Sequence, residues 1–168
     1  TIFTSSSIAD GFIVDDMAVM QGEPEGKYCA NSVSQWCLVT DQVMGGVSQG
    51  KLEILDADVG FFLQLSGQVS TDNNGGFIQI RTKIEGHPEK KNFKGVRIRV
   101  SGNGEEYAVH IRTKYLFLPW QYYSANFVAN EDWQFVDLDF SEFSRSNFYQ
   151  PSRFSSQDIE TIGIVAIG

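Results

Sequence analysis

The sequence predicts an all-β fold, a two-sheet antiparallel β-sandwich of the jelly-roll class. Three observations predict it. Short runs alternate apolar and polar residues with the period of two that a half-buried strand needs. Turns rich in Gly, Asn and Asp separate those runs, and helical periodicity is poor from end to end. The composition agrees: 13 Phe, 6 Tyr and 16 Gly suit strands and tight turns.

Taken in order, the first third is irregular, with Gly22-Glu23-Pro24-Glu25-Gly26 as a turn-rich loop. Strand-like runs begin at Trp36. Leu52–Leu55 and Gly60–Ser66 come first. In 76–84, Ile78, Ile80, Thr82 and Ile84 share one face, and Phe77, Gln79, Arg81 and Lys83 the other. The clearest strand is 95–101, where Val96, Ile98 and Val100 oppose Arg97 and Arg99. Gly102-Asn103-Gly104 then turns the chain. In 107–114, Tyr107, Val109 and Ile111 share one side while His110, Arg112 and Lys114 make a mixed pattern with Thr113, and Trp120–Phe127, Trp133–Phe140 and Thr161–Ile167 complete the strands. Ser141-Glu142-Phe143 and Ser155-Ser156-Gln157-Asp158 are single helical turns. With so few helices, a parallel α/β sheet is disfavoured.

The chain of 168 residues reads as one domain over 1–168, with no repeat, low-complexity stretch or linker. Thirteen basic against 21 acidic residues give a net charge of −8. That excess argues against nucleic acid and polybasic membrane binding. No apolar run approaches the ~18 residues of a membrane span. The start, Thr1 to Ser7, has no basic region followed by a hydrophobic core, so it is not an intact signal peptide. Cys29 and Cys37 fit no zinc or redox spacing and are expected as free thiols. Two histidines and two cysteines make a metal site improbable, and no cofactor is expected.

Catalytic constellations are weak, so no enzyme is expected. His87 lies in a polar loop and His110 on a strand among cations. Neither has a nucleophile elbow nearby, and both read as surface histidines. The carboxylate pairs Asp15-Asp16, Glu105-Glu106 and Glu131-Asp132 read as solvated loop ends. Gly45-Gly46 and Gly75-Gly76 precede no helix and read as turns or bulges, not phosphate loops.

The cations are more informative. Arg81 and Lys83, Arg97 and Arg99, and Arg112 and Lys114 lie on three consecutive strand candidates. If those strands are neighbours, they make one cationic stripe with Phe77 at its end, suited to a sugar or a peptide surface. The alternative is a solvated face whose cations pair with the excess carboxylates. Trp120 belongs to a second aromatic group, Trp120-Gln121-Tyr122-Tyr123. The candidate ligand or partner residues are therefore Asp41, Phe77, Arg81, Arg97, Arg99, Arg112 and Trp120.

The segment from Trp36 to Ser48, with its Asp41-Gln42-Val43-Met44-Gly45-Gly46-Val47-Ser48 run, resembles the opening signature of the complex I intermediate-associated protein 30 family. Asn73-Asn74-Gly75-Gly76-Phe77 with Arg81 resembles its next element. Gly95, Gly102-Asn103-Gly104 and Tyr107 resemble a third. Tyr123, Ala125, Phe127, Trp133, Leu138, Phe140 and Phe143 resemble a later pattern, and Ile162-Gly163-Ile164 its penultimate strand. The similarity spans 36–168. It implies a galactose-binding-like sandwich and a non-catalytic partner-binding role, as in respiratory complex I assembly. A carbohydrate-binding module is the runner-up. The resemblance implies a mitochondrial compartment for a eukaryotic member and the cytoplasm for a bacterial one. Asn103 stands where the family has Asp, Phe148-Tyr149-Gln150 lacks the usual Gly-Arg, and the family adds a strand beyond the position of Gly168.

Physically, the signature reads as a loop-fixing device. Gly45-Gly46 permits a positive φ or a close backbone approach. Trp36 and Met44 are expected to fill core space. Asp41 is expected to accept backbone N–H bonds or to pair with Arg81. The sharper reading makes the 36–48 loop and the 73–81 strand a docking site.

Overall fold

The computed structural model describes residues 11–17, 32–33, 35–88 and 91–168. The 22–26 loop and Cys29 lie outside the described residues. Among those described, the strands are β1 (Ser32–Val33), β2 (Trp36–Thr40), β3 (Gln49–Ala57), β4 (Gly60–Gln68), β5 (Phe77–Lys83) and β6 (Gly95–Val100). They continue with β7 (Glu106–Thr113), β8 (Tyr123–Val128), β9 (Gln134–Asp139), β10 (Ser144–Arg145) and β11 (Ile159–Ile167). The helical pieces are single 3₁₀ turns, two of them at 140–142 and 156–158, where the sequence places isolated turns.

One layer is a seven-stranded sheet in the order β1-β2-β5-β11-β7-β8-β10. The other consists of two ladders, β3–β4 and β6–β9. All pairings are antiparallel. Burial follows the sequence alternation closely. In β5, Ile78, Ile80 and Thr82 are buried while Arg81 and Lys83 are exposed. Ile80, Val109, Ile111, Tyr123, Phe127, Ile162 and Ile164 of the large sheet meet Leu52, Leu63, Ile98, Val100 and Leu138 of the ladders. That contact is the core of a two-layer sandwich, and each layer hides one apolar face in it. Two cavities, of about 760 and 560 Å³, lie against the ladders on the core side of the large sheet.

The topology decides which cations are neighbours. β5 and β7 both flank β11 in the large sheet, whereas β6 pairs with β9 in the opposite layer. Arg97 and Arg99 therefore do not extend a stripe with Arg81 and Arg112. The single three-strand stripe is corrected to two separate faces. A chain-order neighbour need not be a sheet neighbour, because in this fold consecutive strands cross between layers.

Four smaller expectations also change. Trp36 is core, at 1% exposure, but Met44 is 65% exposed. The 3₁₀ turn Asp41–Met44 rolls Val43 and Met44 outward as it carries Asp41 inward. The strand expected from Trp120 starts at Tyr123, because residues 116–121 curl around the Arg112 guanidinium. Cys37 is disulfide-bonded and not a free thiol. Asp15 is no simply solvated loop end: its carboxylate accepts the Trp36 indole N–H at 2.8 Å.

Candidate functional site

Two built features stand out. The first is internal. Asp41 is 0% exposed. Its carboxylate accepts the Ser48 N–H at 3.0 Å, the Ser48 hydroxyl at 2.5 Å and the Gly76 N–H at 2.6 Å. Burial pushes the Asp41 carboxyl up. The Ser48 hydroxyl and the N–H groups of Gly76, Ser48 and Phe77 outweigh it and hold the group below its ordinary value. Both double-glycine motifs follow from this carboxylate. A Cβ on Gly46 would lie 2.3 Å from Asp41 Cγ, and one on Gly75 would lie 2.3 Å from Asp41 Oδ2. Gly45, at φ +89°, makes the left-handed end of the 3₁₀ turn. Asp41 thus pins the 41–48 loop to the start of β5, as the loop-fixing reading expects. It accepts from Ser48 and Gly76, not from Arg81, and its burial keeps it from a partner's surface.

The second feature is the outer face of the seven-stranded sheet. Register sets its rows. Arg81 of β5 stands opposite Gly163 of β11, which stands opposite His110 of β7, which stands opposite Ser124 of β8. One row along, Gln79, Val165, Ala108 and Asn126 align. Lys83, Thr161 and Arg112 make a third row. The middle strands carry small or short residues: Gly163, Val165 and Ala108 are buried. Small residues, Gly163, Val165 and Ala108, thus run down the middle of the face as the floor of a shallow trough that longer side chains cover, Val165 and Ala108 being 1% exposed. One row of longer side chains is Phe77, Gln79, Arg81 and Lys83, and the other is His110, Ser124, Asn126 and Tyr122.

The Gly163 position has no room for a side chain. A Cβ there would lie 2.5 Å from Gln79 Nε2 and 2.9 Å from the Ile80 carbonyl oxygen. A glycine inside a strand commonly marks such a close approach. The His110 ring lies flat on Tyr122, centroids 4.0 Å apart and planes 12° from parallel. It is half-buried and not the surface histidine expected from its polar neighbours, and burial lowers its pKa to about 4. It is therefore neutral near pH 7.

Arg112 anchors one end of the trough. Its guanidinium donates to the carbonyls of Leu116, Leu118, Pro119 and Gln121 at 2.6 to 3.0 Å. One charged fork thus shapes the whole 115–121 loop, a role that only a planar, multiply donating cation fills. The 146–150 loop is stitched alongside. Ser146 donates its N–H to the Tyr122 carbonyl, and the Gln150 side chain donates to that same oxygen at 2.8 Å. Trp120 Nε1 reaches the Tyr149 hydroxyl at 3.3 Å. These loops present Tyr115, Phe117, Trp120, Phe148 and Tyr149 outward.

The sequence-predicted residues separate accordingly. Phe77, Arg81 and Arg112 share the outer face, and Trp120 stands on the loop that Arg112 holds. Arg97 and Arg99 lie on the other layer. There Arg97 is bidentate to Asp137 at 2.5 and 2.8 Å, and Arg99 sits 5.4 Å from the Trp133 ring centroid. Sequence reasoning weighs His110 only as a surface histidine and does not single out Gln79, Tyr122 or Gly163. The Ile162-Gly163-Ile164 glycine, inside a strand pattern, was the available signal. Among the described residues, no group of three His, Cys, Asp or Glu is placed to hold a metal ion.

Known structures share the architecture. A family 11 carbohydrate-binding module from Clostridium thermocellum, in complex with a β-1,3-1,4-mixed-linked tetrasaccharide, superposes with a TM-score of 0.63 at 17% identity over 83% of each chain. The family 11 module of the cellulosomal cellulase Lic26A-Cel5E of the same organism gives 0.62 at 15% identity over 88% of each chain. At these identities the likeness shows the fold. No curated protein matches the sequence. The profile of one family matches residues 26–168 and so covers most of the chain, including the Asp41 loop and its partner strand. This chain belongs to the Complex I intermediate-associated protein 30 (CIA30) family.

Proposed function

We propose that this domain binds a glycan in the outer-face trough of the seven-stranded sheet. One observation carries the reading: a row of small residues, Gly163, Val165 and Ala108, runs between the polar Gln79 and Arg81 and the His110–Tyr122 stack on one exposed sheet face. A saccharide needs this combination, a groove with planar hydrogen-bonding groups beside an aromatic ring. The fold supports it, since the first carbohydrate-binding module named above is in complex with a tetrasaccharide on a similar sandwich, although a shared fold alone is weak warrant. The disulfide at Cys37 supports an oxidising compartment, which suits a polysaccharide ligand and argues against the bacterial cytoplasm.

The test is affinity electrophoresis in gels cast with a panel of soluble polysaccharides, both neutral and acidic. The wild-type domain is expected to be retarded in at least one gel. Tyr122→Ala is expected to run freely there, with its folding checked by circular dichroism. Unretarded migration in every gel overturns the reading.

A second reading rests on a different observation. Phe117 and Phe148, 85% and 83% exposed, stand on adjacent loops with Trp120 and Tyr149. Exposed aromatics gathered in this way suit a protein partner, and the family is named for association with complex I intermediates. Under this reading, native co-purification brings down respiratory complex I subunits. A Phe117→Ser/Phe148→Ser double variant loses them. Retention by that variant overturns it.

A further inference from the structure

We propose that the 115–121 and 146–150 loops dock this domain on an anionic lipid surface. The proposal is independent of the glycan reading, and it competes with the protein-partner reading for the same loops.

Both loops leave one corner of the seven-stranded sheet. Tyr123, where β8 starts, stands opposite Ile111 near the end of β7 and opposite Arg145 at the end of β10. Among the described residues, Phe117 and Phe148 are the two most exposed large apolar side chains. Tyr115, Trp120 and Tyr149 on the same loops are more than half exposed. The backbone that carries them is held in place. The Arg112 guanidinium gathers four carbonyls of the first loop, and the Ser146 hydroxyl donates to the Trp120 carbonyl at 3.0 Å, which fastens the second loop to the first. Phe148 lies edge-on to Tyr149, ring centroids 5.2 Å apart. A surface fixed in this way needs little ordering on binding.

Charge selects the occupant. The whole chain carries −8, yet the stretches 107–130 and 143–157 hold none of its 21 carboxylates. They hold Arg112, Lys114, Arg145 and Arg153. Lys114 pairs with Asp158, and Glu160 acts favourably on Arg112. Arg145 and Arg153 are exposed, and among the described residues neither forms a salt bridge. Arg145 donates to the Gln150 carbonyl, which leaves its charge uncompensated. This corner is therefore aromatic and cationic on a molecule that is otherwise acidic.

The residue types match a bilayer interface by depth. Phenylalanines reach toward the acyl chains, rings with one polar end such as Trp120 and Tyr149 suit the headgroup level, and cations meet the phosphates. Anchors of a protein interface sit in well-packed pockets inside a rim. Phe117 and Phe148, at 85% and 83% exposure, stand clear of their own surface and suit insertion.

The test is co-sedimentation with vesicles of phosphatidylcholine alone and of phosphatidylcholine mixed with phosphatidylglycerol, with tryptophan emission read in parallel. The domain is expected to bind the anionic vesicles at least about 10-fold more tightly than the neutral ones. That affinity should fall as salt rises. Emission should shift to the blue on binding, and Trp120→Phe should lose the shift. Phe117→Ser/Phe148→Ser should weaken binding about 10-fold or more, and Arg153→Gln several-fold. Val43→Ser/Met44→Ser, which removes exposed apolar side chains from a different loop, should keep wild-type affinity. Equal binding to both vesicles, unchanged Trp120 emission, full binding by the phenylalanine double variant or by Arg153→Gln, or an equal loss in Val43→Ser/Met44→Ser overturns the proposal. Pelleting with neither vesicle overturns it and leaves the protein-partner reading of these loops standing.

Discussion

Asp41 and Gly76, 35 positions apart, are joined by a hydrogen bond of 2.6 Å from the Gly76 N–H to the Asp41 carboxylate. It fastens the end of β2 to the start of β5 and so sets the edge of the trough wall that carries Phe77, Gln79 and Arg81.

Acid should act through Asp41. Its folded pKa lies below the ordinary 3.8, so its contribution is fully present above that value and lost as pH falls through the folded pKa. Asp41→Asn should flatten this acid limb in denaturant titrations below about pH 4. It should also lower stability at pH 7 more than Asp137→Asn on the surface. An unchanged acid limb would show that the carboxylate is not what holds the loop.

Gly75→Ala isolates the close packing. Gly75 has φ −81°, so alanine suits its backbone, and the approach to Asp41 Oδ2 dominates, with the Asp72 carbonyl oxygen farther off at 3.1 Å. The expected loss is about 1–3 kcal/mol. In an Asp41→Ala background the loss should shrink, giving a coupling of about 0.5–3 kcal/mol in a double-mutant cycle. Simple additivity would contradict the contact.

His110 gives a second pH window. Its pKa is lowered to about 4 in the fold, from 6.5. Between those values the unfolded chain takes up a proton that the folded chain refuses, so stability falls as pH drops from about 6.5 to about 4. Tyr122 covers the ring. The full effect is on the order of 3 kcal/mol. His110→Gln should remove this slope and leave the Asp41 limb in place. Urea unfolding at several pH values reads both, and a wild-type slope in the variant would disprove the assignment.

Arg112→Lys keeps the charge and removes the fork. The carbonyls of Leu116, Leu118, Pro119 and Gln121 then lose most of their shared donor. Faster amide exchange confined to residues 115–121 is expected, with a stability loss of about 1–3 kcal/mol. Trp120 emission should shift toward that of free indole. Uniform exchange across the sheet would point to a general fold defect instead.

The sequence alone determined the two faces of β5 and β6, because a strand's side chains must alternate whatever it pairs with, while in β7 it left His110, Arg112 and Thr113 as a mixed pattern. The Asp41 motif was legible in part: its glycines read as a turn or a close backbone approach, while Asp41 also read as a partner residue and its burial comes only from the fold. What the sequence could not determine was which outer faces coincide. Arg97 resembles Arg81 in every local respect, yet it lies in the other layer, because β6 pairs with β9 while β5 pairs with β11. The trough exists only because β11, last in the chain, inserts between β5 and β7 and sets Gly163 between Arg81 and His110. Pairings between strands so far apart in sequence are selected by how the whole core closes, and no single segment carries that information.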